Sequence, residues 1–294
     1  MFRGSITALI TPFKKGQIDE RAFQDFVNWQ IEQGTHGLVP CGTTGESPTL
    51  SHDEHKRVIE LCVEVAKGRV PVIAGAGSNS TAEAIELTRH AKQAGATAVL
   101  TVTPYYNKPT QEGLILHYLA IANAVDIPIV IYNIPARCVV DMSVETMAKL
   151  AEHENIIGVK DATNDLARPQ KMKQLVGDKF CQLSGEDGTA VAFLAQGGAG
   201  CISVTANIAP RLCAQLHDSW HLGTYEDAFR LRDILSPLHD SMFVETNPVP
   251  VKFAASLLGK CEPDARLPLA PLKLKSKARI EEAMRAAGLL GAEE

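Results

Sequence analysis

No C-x-x-C pair occurs in this sequence, and its seven cysteines are scattered and odd in number. That pattern argues against a disulfide framework or a zinc site and for a reducing cytoplasm. No run of lysine and arginine stands out, and the formal net charge is -5. The electrostatic footprint of a nucleic-acid or anionic-membrane binder is therefore missing. No apolar run reaches the length of a membrane span. The opening MFRGSITALITPFKKG has a short apolar patch, broken by Thr7 and Thr11, and no small-residue cleavage site. It reads as a first strand rather than a signal peptide. Low-complexity segments are also missing. What is left is an ordinary globular composition, 45% hydrophobic and 21% charged over 294 residues. That is enough for one large domain, with or without an appendage.

The chain alternates. Short apolar runs occur at SITALI, GLVP, VPVIAG, TAVLTVTP, IPIVIYN, IIGVK, FCQLSG and GCISVT. Each is followed by a segment of helical spacing, such as ERAFQDFVNWQIEQG or AEAIELTRHAKQAG. Eight strand–helix units predict a parallel sheet and fit a (β/α)8 TIM barrel over residues 1–224. A doubly wound open sheet would need a Gly-rich first turn, and ITPFKKGQ is not one. Ser51 with Glu54, and Ser80 with Glu83, read as capping boxes at helix starts. Beyond residue 224 the strand signal stops, and three helical segments separated by Pro and Gly predict a small C-terminal helical domain over 225–294.

The chemistry of such barrels sits at the C-terminal ends of the strands. There the sequence places CGTTGES with Thr43 and Thr44, TPYYNKP with Tyr105 and Tyr106, and IYNIPAR with Tyr132 and Arg137. Strand six ends at Lys160, strand seven is followed by SGED, and strand eight carries CISVT. No cluster of histidines or carboxylates with metal spacing lies among them. Lys160 at the end of an apolar strand has two readings. It can snorkel to the rim and pair with Asp161. Alternatively, desolvation disfavours its ammonium, and the free amine attacks a ketone to give a Schiff base. A protonated imine is an electron sink that needs no metal or other cofactor. Tyr132, at the matching end of the neighbouring strand, supplies the acid/base that such chemistry needs. Gly158, two residues before Lys160 on the same strand face, is expected to leave space for the lysine stem.

Taken in order, GTTGES, TPYYNKP, YNIPAR, GVKDAT and GGAGCISVT resemble the pyruvate-dependent class I aldolase/lyase superfamily, most closely its dihydrodipicolinate synthase family. The resemblance covers nearly the whole chain. It implies that Lys160 forms an imine with pyruvate and that Tyr132 gives and takes protons. Thr43 is implied to link Tyr132 to Tyr106 of a neighbouring subunit. Thr44 and the backbone at Ile202 are implied to hold pyruvate, and Gly185 to belong to the same substrate-binding set. Arg137 is implied to hold the carboxylate of the second substrate, L-aspartate 4-semialdehyde, as a guanidinium fork suits. A homotetramer built as a pair of tight dimers is implied too.

L-Lysine is the end product of the pathway this reaction opens. The positions matching the inhibitor cleft of feedback-sensitive members are Ser47, Pro48, His52, His55, Asn79, Glu83 and Tyr105. Each of these residues also has a plain reading. Thr43 and Thr44 can shape the Gly42/Gly45 turn, the tyrosines can be interface packing, and Glu83 can close the capping box on Ser80. His52 and His55, in the first turn of a helix, can be neutral surface residues. Cys41 and Cys138 read as small buried hydrophobes. Within the superfamily, N-acetylneuraminate lyase or another sugar-acid aldolase is the alternative; GTTGE and the arginine after NIPA favour the dipicolinate branch. A non-catalytic ligand-binding barrel and a metal-dependent aldolase, the latter supported only by SHDEH, complete the set.

Overall fold

The computed structural model describes residues 2–291. Eight strands run parallel: β1 Gly4–Ala8, β2 Gly37–Val39, β3 Ile73–Gly75, β4 Ala98–Val102, β5 Ile129–Asn133, β6 Ile156–Asp161, β7 Cys181–Ser184 and β8 Gly200–Ser203. Their order in the sheet is 2-1-8-7-6-5-4-3. Each strand follows its sequence neighbour around the sheet, which is the order of a (β/α)8 barrel. Helices α1 Glu20–Glu32, α2 His52–Ala66, α3 Thr81–Gln93, α4 Gln111–Ala124, α5 Val144–Leu150, α6 Arg168–Val176, α7 Ala190–Ala195 and α8 Pro210–Leu222 alternate with the strands. Three helices follow, α9 Tyr225–Ser241, α10 Val249–Leu257 and α11 Leu274–Ala286. A two-residue hairpin, Phe13–Lys14 with Gln17–Ile18, lies between β1 and α1. No helix among the described residues is long and apolar enough to cross a membrane.

The strands were legible because parallel strands are covered on both faces and so read as continuous apolar runs. All five residues of β5, Ile-Val-Ile-Tyr-Asn, are buried. The chain forms two compact units, one centred on Pro71–Ile202, the other made of Gly4–Val70 with the segment from Ser203 onward.

In the first unit, β3 to β7 pair in unbroken succession. The register sets Tyr132 opposite Lys160 and Asn133 opposite Asp161. A Cβ on Gly158 would lie 2.3 Å from the carbonyl oxygen of Cys181 and 2.7 Å from its Cβ. Glycine is therefore needed there for the close approach of β7, and not for room around the Lys160 stem. In the second unit, β1 pairs with β2. Ser51 and Glu54 form the expected capping box on α2, an arrangement worth about 1 kcal/mol. The box expected at Ser80 is only half made. The Ser80 side chain accepts from the Glu83 N–H, but the Ser80 N–H donates to Ser78 Oγ. The Glu83 carboxylate instead accepts a hydrogen bond from the Ser78 hydroxyl.

Candidate active site

Lys160 and Tyr132 come together at the C-terminal ends of β6 and β5. Each is 6% exposed, and the Lys160 Nζ lies 4.1 Å from the centroid of the Tyr132 ring. A cation over a phenol face at that distance is attracted by the ring quadrupole. Asp161 takes no part in holding the amine. Successive strand residues point to opposite faces, and the Asp161 carboxylate is engaged on the other side of the sheet. It accepts from Arg168 Nε at 2.9 Å and from the Thr163 N–H at 2.9 Å. The pairing of Lys160 with Asp161 is thus replaced by a buried Asp161–Arg168 pair. A lysine at 6% exposure, with no carboxylate within 4 Å among the described residues, is an amine left available for chemistry.

The Arg168 pair belongs to a network that backs the two strand ends. Asn133 Nδ2 donates to Asp141 at 2.7 Å, and the Met142 N–H donates to Asn133 Oδ1 at 3.0 Å. Arg168 also donates to the Met142 carbonyl and lies 3.5 Å from Asp141. Residues immediately following Tyr132 and Lys160 are therefore tied to one guanidinium, which is buried with 8% exposure. Removing one member of such a buried pair typically costs about 3–5 kcal/mol.

Gly185, just past β7, leaves the space that Lys160 uses. A Cβ there would come within 3.1 Å of Lys160 Cε and 2.7 Å of the Ala162 Cβ. Ile202 is buried in β8. Arg137 lies in the one-turn helix Pro135–Cys138; its backbone N–H donates to the Ile134 carbonyl at 3.1 Å, and its exposed guanidinium has no hydrogen bond or ion pair among the described residues. Tyr106 is on the surface. It is 92% exposed and holds a left-handed backbone, φ 69°, unusual for an aromatic residue.

In the second unit, Thr43 and Thr44 sit in the tight turn after β2. The Gly45 N–H donates to the Gly42 carbonyl at 3.1 Å and the Glu46 N–H to that of Thr43 at 3.1 Å. Thr44 is buried, and its hydroxyl accepts from Asn247 Nδ2 at 3.0 Å. A Cβ on Gly45 would meet the Leu9 carbonyl at 3.1 Å and Cys41 backbone atoms at 3.2 Å. Ser47 and Pro48 open the single 3-10 turn that follows.

Three of the seven expected regulatory residues meet in the first unit. Asn79 Nδ2 donates to the Tyr105 carbonyl at 3.2 Å. Burial, and then the nearby Glu83 charge, raise the Tyr105 phenol above its ordinary pKa. His52 and His55 lie at the start of α2 in the other unit. His52 is exposed, but His55 is buried at 4% exposure, which corrects its reading as a surface residue. All seven cysteines are free thiols. Burial raises the Cys41 and Cys138 thiols above their ordinary range, so both behave as small hydrophobes. Among the described residues, no group of three His, Cys, Asp or Glu side chains is placed to hold a metal ion.

Several contributors were not singled out from the sequence: Asn133, Asp141, Arg168, Asn247 and the buried Lys252. The position of Asp161 was readable, since a strand's period of two puts residue 161 on the face opposite residue 160. The others are long-range partners that no local pattern marks.

A buried lysine amine against a phenol, at the C-terminal ends of adjacent strands in a (β/α)8 barrel, is the apparatus of an imine-forming, class I lyase. The comparisons agree with that class. The dihydrodipicolinate synthetase family matches residues 1–287, and this chain belongs to it. It is 68% identical, over 290 residues, to the 4-hydroxy-tetrahydrodipicolinate synthase of Rhodospirillum centenum, covering 99% of this chain and 100% of that one. Among solved structures it is similar to the chloride-inhibited dihydrodipicolinate synthase of Acinetobacter baumannii complexed with pyruvate. That chain is 45% identical with a TM-score of 0.96, over 99% of this chain and 100% of the other. It is also similar to the enzyme of Cyanidioschyzon merolae with lysine bound, 38% identical with a TM-score of 0.95, over 98% and 99% of the two chains. The chain is accordingly an enzyme of the lyase class.

Proposed function

We propose that this chain condenses pyruvate with L-aspartate 4-semialdehyde, the 4-hydroxy-tetrahydrodipicolinate synthase reaction, through an imine on Lys160. The observation that carries the reading is the Lys160 amine, buried and 4.1 Å from the Tyr132 ring centroid. The amine adds to the ketone carbon of pyruvate, and loss of water gives a protonated imine. The protonated imine acidifies the methyl carbon, which gives a proton to the shuttling base while the C–H electrons move toward nitrogen, leaving an enamine. That carbon attacks the aldehyde, and the new alkoxide takes a proton. Tyr132 is the group that shuttles protons in these steps. The amino group of the semialdehyde then attacks the imine carbon, closes the ring and returns Lys160 as the free amine. Thr44, Gly185 and the backbone at Ile202 bind pyruvate, and Thr43 joins Tyr132 to Tyr106 of a second copy. The exposed Arg137 fork takes the semialdehyde carboxylate. The barrel over 1–224 carries this chemistry in the cytoplasm, and 225–294 forms a small C-terminal helical domain. The purified enzyme should form the cyclic product from these two substrates without added metal. Product from pyruvate and N-acetylmannosamine, with none from the semialdehyde, would replace this reading with a sugar-acid lyase.

Tyr106 supports a shared site. A phenol 92% exposed on a left-handed backbone is poorly explained as a solvated loop residue, and a tyrosine is well suited to an interface. We take the assembly to be a homotetramer of two tight dimers. Tyr106→Phe should lower turnover while leaving the melting temperature unchanged. Mixing Tyr106→Phe subunits with Lys160→Ala subunits should then recover part of the activity, because one of the two sites in a mixed dimer has both groups. Demonstrated subunit exchange with no recovery would place Tyr106 outside the neighbour's site.

L-Lysine is the inhibitor we assign to Ser47, Pro48, His52, His55, Asn79, Glu83 and Tyr105. The Glu83 carboxylate suits the ligand's α-ammonium, Asn79 its carboxylate, and the Pro48 carbonyl and His55 its side-chain amine. Initial rates at fixed pyruvate should fall with L-lysine, and Glu83→Ala should shift the curve to higher concentration. A flat wild-type curve into the millimolar range would remove the inhibitor from the reading.

A further inference from the structure

The turn carrying Thr43 and Thr44 is bracketed by two non-glycine residues in left-handed backbone, Cys41 at φ 56° and Glu46 at φ 55°. Such conformations persist only where the surroundings over-determine them. Here the determinants come from the C-terminal third of the chain. Lys252, on α10, donates from Nζ to Glu46 Oε1 at 2.6 Å. The Arg266 N–H donates to Glu46 Oε2 at 2.9 Å. Asn247 Nδ2 reaches Thr44 Oγ1 at 3.0 Å. Beyond the turn, Arg266 Nη1 donates to the Thr49 carbonyl and to Glu54 Oε2, each at 2.7 Å. That contact holds the Glu54 carboxyl at about 2, well below its usual range.

The Glu46–Lys252 pair is buried completely, with side-chain exposures of 2% and 0%. The Lys252 Nζ also stacks 4.1 Å from the Phe13 ring centroid. A buried ion pair is a poor device for stability alone, since well-packed apolar residues serve as well or better. Its particular capacity is geometric. Two charge-assisted hydrogen bonds fix both carboxylate oxygens of Glu46, and with them the backbone two residues beyond Thr44. We infer that Glu46 and Lys252 are positioning residues: the pair, splinted by Arg266, locks the turn so that Thr43 and Thr44 are presented to pyruvate in one geometry. This rests on the pyruvate-binding role proposed for that turn. It also gives the α10 segment a part in the active site.

The test uses the full-length enzyme and two variants, E46Q and the double variant E46Q/K252M. The first removes one charge isosterically. The second removes both, so that no unpaired buried charge is left to unfold the chain. Each is compared with wild type for KM of pyruvate, KM of the semialdehyde, rate of the borohydride-trapped pyruvate adduct and melting temperature. The expected result for the folded variants is a pyruvate KM raised by about tenfold or more and a slower adduct, with the semialdehyde KM nearly unchanged. Folded variants with wild-type pyruvate KM and adduct rate, whatever their melting temperature, overturn the inference and leave the pair merely structural. A wild-type enzyme that forms no adduct overturns the proposed function and this inference with it.

Discussion

Borohydride added to the enzyme with pyruvate will fix a reduced adduct on Lys160 and on no other lysine. Reduction converts the reversible imine into a stable secondary amine, so the modified residue can be located by peptide mass spectrometry. The useful control is internal. Lys252 is also deeply buried, and burial lowers its pKa against the opposing effect of Glu46. A depressed amine is what imine formation favours, yet Lys252 should stay unlabelled. It is wholly inaccessible and its Nζ is committed to Glu46 at 2.6 Å. Lys160 has the reverse profile: no carboxylate partner among the described residues and a small residual exposure. Lys160→Arg should lose turnover by about 10³-fold or more, because a guanidinium stays protonated and cannot serve as the nucleophile. Since Arg keeps the positive charge over the Tyr132 ring, retained activity would mean that the charge alone is used. An adduct on Lys252, or on a surface lysine, would overturn the assignment of Lys160.

Most of the architecture is legible in the sequence because the parallel strands report themselves. IPIVIYN and IIGVK are apolar on both faces, and the barrel ends they define bring Tyr132 and Lys160 side by side in register. The Ser51 capping box was equally local, and it formed. What could not be read depends on partners far away in the chain. Gly158 is required by Cys181 on the next strand, not by the lysine two residues on. Glu83 turns to Ser78 because the Ser80 N–H is already taken by the Ser78 hydroxyl. Burial of His55 follows from how α2 packs, which its position in the first helical turn does not reveal. The hairpin at Phe13–Ile18 is too short to leave a period-two signal. Glu46 and Lys252 lie 206 residues apart, and no spacing rule connects them.

Tyr132→Phe separates the two contributions of that residue. Its ring packs beside Lys160, and phenylalanine retains the ring, so the lysine should keep its place and the fold its stability. Only the hydroxyl is lost. General acid–base catalysis by a positioned side chain contributes about 10²–10⁴-fold, and turnover should fall within that range. The melting temperature should change little, because Tyr132 is held by packing within β5. Borohydride should still trap pyruvate on Lys160, more slowly than in wild type, since imine formation also needs a proton delivered to the departing water. The phenol acts at several proton transfers, so the loss should appear in kcat more than in the KM of either substrate. A kcat within about threefold of wild type would assign the proton shuttle to another group or to solvent. An equally large loss with no trapped adduct would instead show that the hydroxyl is needed before the imine exists, at the step that expels water.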